Sequence, residues 1–262
     1  MPLIWPEDLR LNATLTGPGN APALVLIHAL GTSSALFDGL LPFLPKSLRL
    51  LTFDQRGHGA SDMPPAPYAM GQLVRDAERV IEHFRLKDTV VLGVSLGGMV
   101  AQGLATKRLD LVRGLILSNT AARIGIESQW QARIAAVRAG GIAAIRDATL
   151  DRWFGRSWQT ASAMPQAAAL LDAARPEGWC GAAAAISGTD FYTPTAALRL
   201  PTLCLAGSND GSTPPDLVRE TAELIPGAEF RLIRGAGHLP MLDQPQAYAQ
   251  AVTDFLNRIS HV

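Results

Sequence analysis

One serine in this chain stands between a strand-like and a helix-like segment, and this constrains the fold more than any other feature. Residues 93–97 read Gly-Val-Ser-Leu-Gly and match the pattern Gly-x-Ser-x-Gly around Ser95. An apolar, β-branched run at 89–92 precedes them, and small residues at 98–105 follow. A strand that turns sharply into a helix needs glycine at both ends of this pattern, because a Cβ there would collide with neighbouring backbone. The pattern predicts that Ser95 is held on this turn as a candidate nucleophile.

Apolar runs alternate with amphipathic segments through most of the chain. The runs that predict strands are residues 24–28, which read as a buried strand, and residues 48–53, 89–92, 114–118, 202–207 and 229–233. The segments that predict helices are residues 33–44, 71–84, 98–105, 214–224 and 245–259. Strands that are apolar throughout and are separated by helices are typical of a parallel sheet covered on both faces. We therefore predict an α/β fold with a mostly parallel central sheet.

Residues 120–195 interrupt this alternation. They show no convincing strand pattern and are rich in alanine and arginine. They also contain four of the five tryptophans, namely Trp130, Trp153, Trp158 and Trp179. We predict that this cap segment (residues 120–195) is a helical insertion over the sheet, and that residues 1–119 and 196–262 form the core. Ordinary packed helices with core tryptophans are the alternative.

Composition argues against several classes of function. The chain has 262 residues, with 23 Lys and Arg against 23 Asp and Glu, so it carries no basic footprint for nucleic acid or a membrane surface. No apolar run reaches the ~20 residues that span a bilayer, and the first residues lack the pattern of a signal peptide. We expect a cytoplasmic protein in which Cys180 and Cys204 are free thiols, with a disulfide between them as the open alternative.

A serine hydroxyl becomes a nucleophile only beside a base, and the base needs an orienting acid. Five histidines are available. His83 and His261 are most simply solvated, whereas His28 and His58 lie in positions that suit structural roles. His238 directly follows the last predicted strand and comes after every other candidate, in the chain order serine, acid, histidine. We predict that His238 is the base.

Asp210 is the favoured acid. It lies in the turn at 207–211, immediately after a predicted strand, and therefore at the same edge of the sheet as Ser95. A simple Asn-Asp-Gly turn is the alternative. The strand at 114–118 is followed by Asn119 and Thr120 rather than a carboxylate, and Asp54 and Asp243 are weaker candidates.

The negative oxygen of a tetrahedral intermediate needs hydrogen-bond donors. The amide that follows the nucleophile, that of Leu96, is one expected donor. The second should come from the loop at 28–31, through the amide of Leu30.

Together these motifs make the chain resemble the α/β-hydrolase superfamily over nearly its whole length. The landmarks, in chain order, are residues 28–31, 54–62, 93–97, 207–210 and 237–238. Ala29 departs from the pattern, since many members have glycine after the histidine. Within the superfamily, the chain is most similar to the 3-oxoadipate enol-lactonases of the β-ketoadipate pathway of aromatic catabolism. The passages that carry this similarity are residues 93–102, 118–125, 140–145, 152–154 and 210–216.

The resemblance implies a carboxylic ester hydrolase that opens 3-oxoadipate enol-lactone to 3-oxoadipate through an acyl-enzyme. Ser95, His238 and Asp210 would form the triad, and neither a cofactor nor a metal would be needed. The partner would be a small anionic lactone, and the chain would act as a monomer or small homo-oligomer.

The carboxylate of such a lactone needs a cationic partner, and arginine can bind it through two hydrogen bonds. The arginines in the cap segment that we consider are Arg123, Arg133, Arg138, Arg146 and Arg152. We favour Arg133, because it shares a helix face with Trp130 three residues earlier, and an aromatic wall suits a flat ring. Trp153 is a second candidate wall residue. Solvated arginines without a ligand are the alternative.

Three other functions stay open on the sequence. The first is a carboxylesterase or cofactor-free haloperoxidase with the same triad. The second is a ligand receptor without catalytic activity. The third, a dehalogenase, is disfavoured because that chemistry uses aspartate where this chain has Ser95.

Overall fold

The computed structural model describes residues 3–4, 9–155 and 161–262. Within them, eight strands form one sheet in the order β1-β2-β4-β3-β5-β6-β7-β8. The strands are β1 (Leu3–Ile4), β2 (Leu11–Thr16), β3 (Ala23–Ile27), β4 (Arg49–Phe53), β5 (Thr89–Val94), β6 (Val112–Ser118), β7 (Thr202–Gly207) and β8 (Glu229–Ile233). Strands β3 to β8 pair in parallel, whereas β2 pairs antiparallel with both β1 and β4. The predicted α/β fold with a mostly parallel sheet is confirmed.

Helices connect the parallel strands. They are α1 (Met70–His83), α2 (Leu96–Lys107), α3 (Glu127–Gly140), α4 (Arg146–Phe154), α5 (Met164–Asp172), α6 (Pro176–Ser187), α7 (Tyr192–Ala196), α8 (Pro215–Leu224), α9 (Pro240–Asp243) and α10 (Pro245–Arg258). Every residue of β3, β5 and β7 is buried, as expected for strands covered on both faces. None of the helices in the described residues is long and apolar enough to cross a bilayer.

The central strands place their carboxyl ends at one edge of the sheet. In the parallel register, Gly93 of β5 pairs with Leu117 of β6, and Ser118 of β6 pairs with Leu205 of β7. The residues that follow these strands therefore emerge side by side. Helices α3 to α7 lie in the chain between β6 and β7; α3 packs on α6, and α4 packs on α5.

Two predictions from the sequence are wrong. Residues 33–44 do not form one helix; they contain two short 3-10 helices, Ser34–Phe37 and Leu41–Phe43, separated by a turn around Gly39. His261 is not solvated: it is buried, and its Nε2 lies 3.0 Å from the Ala23 carbonyl oxygen. Strands β1 and β2 and helix α9 were not predicted from the sequence. His83 is exposed as predicted, and Cys180 and Cys204 are buried free thiols. Trp158 lies outside the described residues.

Candidate active site

Ser95 occupies a strained turn between β5 and α2. Its backbone has φ 55° and ψ −114°, in a region that residues with a side chain rarely adopt. A Cβ at Gly93 would lie 2.2 Å from the Gly97 carbonyl oxygen, and one at Gly97 would lie 2.2 Å from the Ile27 carbonyl oxygen. The two glycines are thus needed for close backbone approach, as the sequence predicts. The hydrogen bond from Ser95 N–H to the Ser118 carbonyl oxygen, 2.9 Å, fixes the turn against β6.

Asp210 and His238 meet at the same edge of the sheet. Nδ1 of His238 lies 2.8 Å from Oδ2 of Asp210, and both side chains are almost completely buried. Asp210 follows β7, and His238 follows β8, so neighbouring parallel strands bring them together. Burial alone would raise the pKa of the Asp210 carboxyl, but the charge of His238 and hydrogen bonds from His238, Asn119 and Thr213 outweigh it and lower the pKa.

Asn119 is a member of this group that sequence reasoning missed. It directly follows β6, has φ 48°, and donates from Nδ2 to Oδ2 of Asp210 at 2.8 Å. The same nitrogen lies 3.2 Å from the Gly237 carbonyl oxygen, next to His238 in the chain. The signal was available: Asn119 occupies a strand end at the edge that carries Ser95 and Asp210, although it is not a carboxylate.

The two weaker candidates for the acid have other partners. Asp54 accepts hydrogen bonds from Asn12 Nδ2 at 2.7 Å and Ser34 N–H at 2.7 Å. Asp243 accepts one from Gly237 N–H at 2.7 Å. Neither carboxylate forms a hydrogen bond with a histidine ring among the residues that the structure describes. Both carboxylates tie loops together.

Ser95 and His238 line one cavity, together with Leu30 and residues of the cap segment. The space measures about 470 Å³ with its open mouth included. The amides expected to bind an oxyanion are those of Leu30, in the loop after β3, and Leu96, the first residue of α2. In the described part of the chain, neither amide donates a hydrogen bond to a protein acceptor. Both are therefore free to bind an external oxygen.

Two buried histidines hold the loop that carries Leu30. The His28 ring accepts a hydrogen bond from Gln55 N–H at 3.0 Å, and the His58 ring accepts one from Gly31 N–H at 3.3 Å. An imidazole nitrogen that accepts such a bond has no proton. Burial lowers the pKa of both histidines, that of His58 to about 3. His28 and His58 therefore have the structural roles that the sequence suggested for them.

Trp130, Arg133 and Trp153 all line this cavity. The guanidinium of Arg133 lies over the ring of Trp130, 4.8 Å from its centroid, which fits their spacing on α3. The ring of Trp153 is nearly parallel to that of His238, with centroids 6.3 Å apart.

The other arginines of the cap segment differ in their surroundings. Arg123 pairs with Asp190, Arg146 pairs with Asp172, and Arg138 is exposed. Arg152 is different, because it lines the same cavity as Arg133. The sequence offered Arg152 as one of five arginines and could not separate it from the rest.

Comparisons with known proteins agree with this architecture. Residues 24–251 match the model of the alpha/beta hydrolase family. The chain is 28% identical over 256 residues to 3-oxoadipate enol-lactonase 2 of Acinetobacter baylyi, covering 97% of this chain and 96% of that protein.

Two solved structures are similar over nearly the whole chain. The enol-lactonase from Burkholderia xenovorans LB400 has a TM-score of 0.93 and 30% identity, covering 98% of this chain and 100% of that one. A hydrolase from Pseudomonas aeruginosa PA01 has a TM-score of 0.92 and 33% identity, covering 97% of each chain. The predicted fold and the predicted resemblance are both confirmed. With its strained serine turn and the matching family model, this chain belongs to the alpha/beta hydrolase family and is a hydrolase.

Proposed function

We propose that the protein hydrolyses the lactone ring of 3-oxoadipate enol-lactone, giving 3-oxoadipate, through a covalent acyl-enzyme. The observation that carries the proposal is the cavity itself. It combines Ser95 and His238 with two arginines that have no ion pair among the described residues. A neutral ester would not require these charges, whereas an anionic lactone would. The similarity to enol-lactonases supports the same substrate class.

The proposed first step is attack of the Ser95 hydroxyl on the lactone carbonyl. His238 accepts the hydroxyl proton, and Asp210 orients the imidazole and stabilises its charged form. The amides of Leu30 and Leu96 donate hydrogen bonds to the oxyanion. The ring C–O bond then breaks, and the enol oxygen takes a proton from His238. The leaving group stays attached through the carbon chain.

The second step releases the product. His238 removes a proton from water, and the resulting hydroxide equivalent attacks the acyl-enzyme. The bond to Ser95 Oγ breaks, Ser95 regains its proton from His238, and a new carboxylate is formed. The enol of the released product then tautomerises to the ketone, which gives 3-oxoadipate. We propose that Trp130 and Trp153 flank the ring, that Arg133 binds the existing carboxylate, and that residues 120–195 act as the cap over this site.

The test combines a variant with a choice of substrates. We expect Ser95→Ala to lower kcat by roughly 10⁴-fold or more while the fold is retained, because the nucleophile is removed. Ser128→Ala is a matched control, since Ser128 is an exposed serine of the cap segment, and we expect it to have wild-type activity. Turnover by Ser95→Ala at the wild-type rate would overturn the nucleophile assignment.

Substrate preference is measured with the wild-type protein. We expect kcat/KM for the enol-lactone to exceed that for a neutral aryl acetate by about tenfold or more, because a bound carboxylate contributes over 1 kcal/mol. Faster turnover of the aryl acetate would instead identify a general carboxylesterase with the same triad.

A further inference from the structure

Two arginines share the cavity of Ser95, and no carboxylate of the described residues forms an ion pair with either of them. Arg133 belongs to α3, and Arg152 belongs to α4. Neither forms an ion pair within residues 3–4, 9–155 and 161–262, although Arg146 on the same α4 pairs with Asp172 at 2.8 Å. Asp151, the residue before Arg152 in the chain, acts on Arg152 through its charge, but it is exposed and forms no ion pair with it. The cavity therefore contains two positive charges that no ion pair among the described residues neutralises.

Partial burial makes the charged form of both guanidinium groups less favourable than it is in water. Both are partly buried, and removal from water lowers the pKa of each. The charge of Arg133 lowers the pKa of Arg152 further, to about 10. Both groups remain protonated near neutral pH, so like charges repel across the cavity. An anion that neutralised both of them would relieve this repulsion.

The two arginines are held by different parts of the protein. The guanidinium of Arg133 rests on the Trp130 ring. Arg152 Nη2 donates to Thr149 Oγ1 at 3.0 Å. The backbone carbonyl of Arg152 accepts a hydrogen bond from Gly211 N–H at 2.8 Å, next to Asp210 in the chain. The guanidinium of Arg133 is thus held by an aromatic ring of α3, and that of Arg152 by a hydroxyl of α4. The two cations belong to different helices, which favours two separate carboxylate-binding points.

We propose that the cavity is a binding site for aliphatic dicarboxylates, with one carboxylate on Arg133 and the other on Arg152. A ligand of this class needs no scissile bond and binds reversibly. The inference rests on the proposed function in one respect: the lactone carries one carboxylate, whereas the opened product carries two. The product therefore neutralises both arginines and acts as a competitive inhibitor.

The test is calorimetric binding to the wild-type protein with adipate and hexanoate, which have the same carbon chain and differ by one carboxylate. We expect adipate to bind at least about tenfold more tightly, because it engages a second guanidinium. Equal affinity for the two acids would overturn the proposal.

Variants assign the two carboxylates. We expect Arg133→Gln and Arg152→Gln each to weaken adipate binding about tenfold, to the level of hexanoate, since each removes one partner. Arg152→Lys should retain part of the preference because it keeps the charge. Arg138→Gln, at an exposed arginine of α3, is the matched control and should bind both acids as the wild type does. Thermal unfolding of each variant checks that it is folded.

The outcomes separate this proposal from the proposed reaction. Loss of adipate affinity in only one of the two glutamine variants would identify a single carboxylate site and overturn the dicarboxylate assignment. Strong adipate preference without any turnover of the enol-lactone would support the binding site and contradict the proposed reaction. Lactone turnover without a preference for adipate would support the proposed reaction and contradict the dicarboxylate site.

Discussion

Asp210 is nearly inaccessible to solvent, yet its carboxylate accepts five hydrogen bonds. They come from the His238 ring, Asn119 Nδ2, Thr213 Oγ1 and the amides of Ser212 and Thr213. These donors replace the water that burial removes, which is why the carboxyl stays ionised. Asn119 is the donor that reaches both this carboxylate and the loop of His238.

We predict that Asn119→Ala lowers the free energy of unfolding at pH 7 by about 1–3 kcal/mol, because a buried carboxylate loses a donor. Ionised Asp210 stabilises the fold above its unfolded pKa of about 3.9, and this is lost as pH falls through the lower folded pKa. The variant should therefore approach wild-type stability at an acidic pH below the folded pKa of Asp210. Urea unfolding at both pH values measures this. The neighbouring, exposed Asn209→Ala is the control, and equal losses in both variants would contradict the prediction.

Chain order and strand ends were sufficient to predict from the sequence that Asp210 and His238 would come together. The sequence could not identify partners that depend on three-dimensional approach. Asn119 contacts a residue 91 positions away, and the ring of His261 reaches the Ala23 carbonyl across 238 positions. A tail position looks solvated on any local criterion. Arg152 likewise looked the same as its neighbours until α4 placed it in the cavity.

The helix that follows Ser95 begins at Leu96, without any intervening loop. The turn can close this tightly because Gly97 lies against the carbonyl group of Ile27 on the adjacent β3. Ser95 is the single residue between β5 and α2, and a connection this short leaves no room for the backbone to relax.

We predict that Gly97→Ala lowers the free energy of unfolding by about 1–3 kcal/mol, because its Cβ meets main-chain atoms that cannot rotate away. It should also lower kcat, since the displaced turn carries Ser95. Gly71→Ala is the control: it lies in α1, and nothing stands within 4 Å of a Cβ there. Because alanine favours helix, the control should be neutral or slightly stabilising. A stable, fully active Gly97→Ala protein would show that the close approach is dispensable.

Elements were predictable where one physical signal dominated. Strand β7 occupies the same residues that its apolar run predicted, because a strand buried on both faces needs unbroken hydrophobicity. Strand β8 also has its predicted bounds, although Ile233 is its one buried residue. Strand β2 escaped prediction because only one end of it is fully buried. The segment after β3 reads as amphipathic, but Gly39 and Pro42 limit it to the two short 3-10 helices.

The free energy of unfolding at acidic pH depends on His28 and His58, which stay neutral in the folded protein. Burial lowers the pKa of His28, and that of His58 to about 3, while an unfolded histidine titrates near 6.5. Between these values the unfolded chain binds more protons than the folded one. The stabilisation by neutral imidazole is therefore complete above about pH 6.5 and declines as the pH falls toward the folded pKa.

We predict that the free energy of unfolding falls between about pH 6 and pH 4, with a slope of up to ~1.4 kcal/mol per pH unit from each of His28 and His58. His58→Gln should reduce this slope by about that amount, because one such group is removed. His83→Gln, at an exposed histidine, should leave it unchanged. Urea unfolding across this range tests the prediction, and an unaltered slope in His58→Gln would refute it.

The end of α4 is fastened to both loops of the Asp210–His238 pair. Its Arg152 carbonyl holds Gly211 N–H, its Trp153 carbonyl holds His238 N–H at 2.7 Å, and a Cβ at Gly237 would sit 1.8 Å from that Trp153 oxygen. Because Arg152 and Trp153 of this helix also line the cavity, a change in α4 would alter both the cavity wall and the position of the His238 ring. A chimera that took α4 from a relative would therefore change the orientation of the His238 imidazole as well as the ligand preference proposed for the cavity. Engineering of substrate range is better directed at α3, which has no such attachment to the two loops among the described residues.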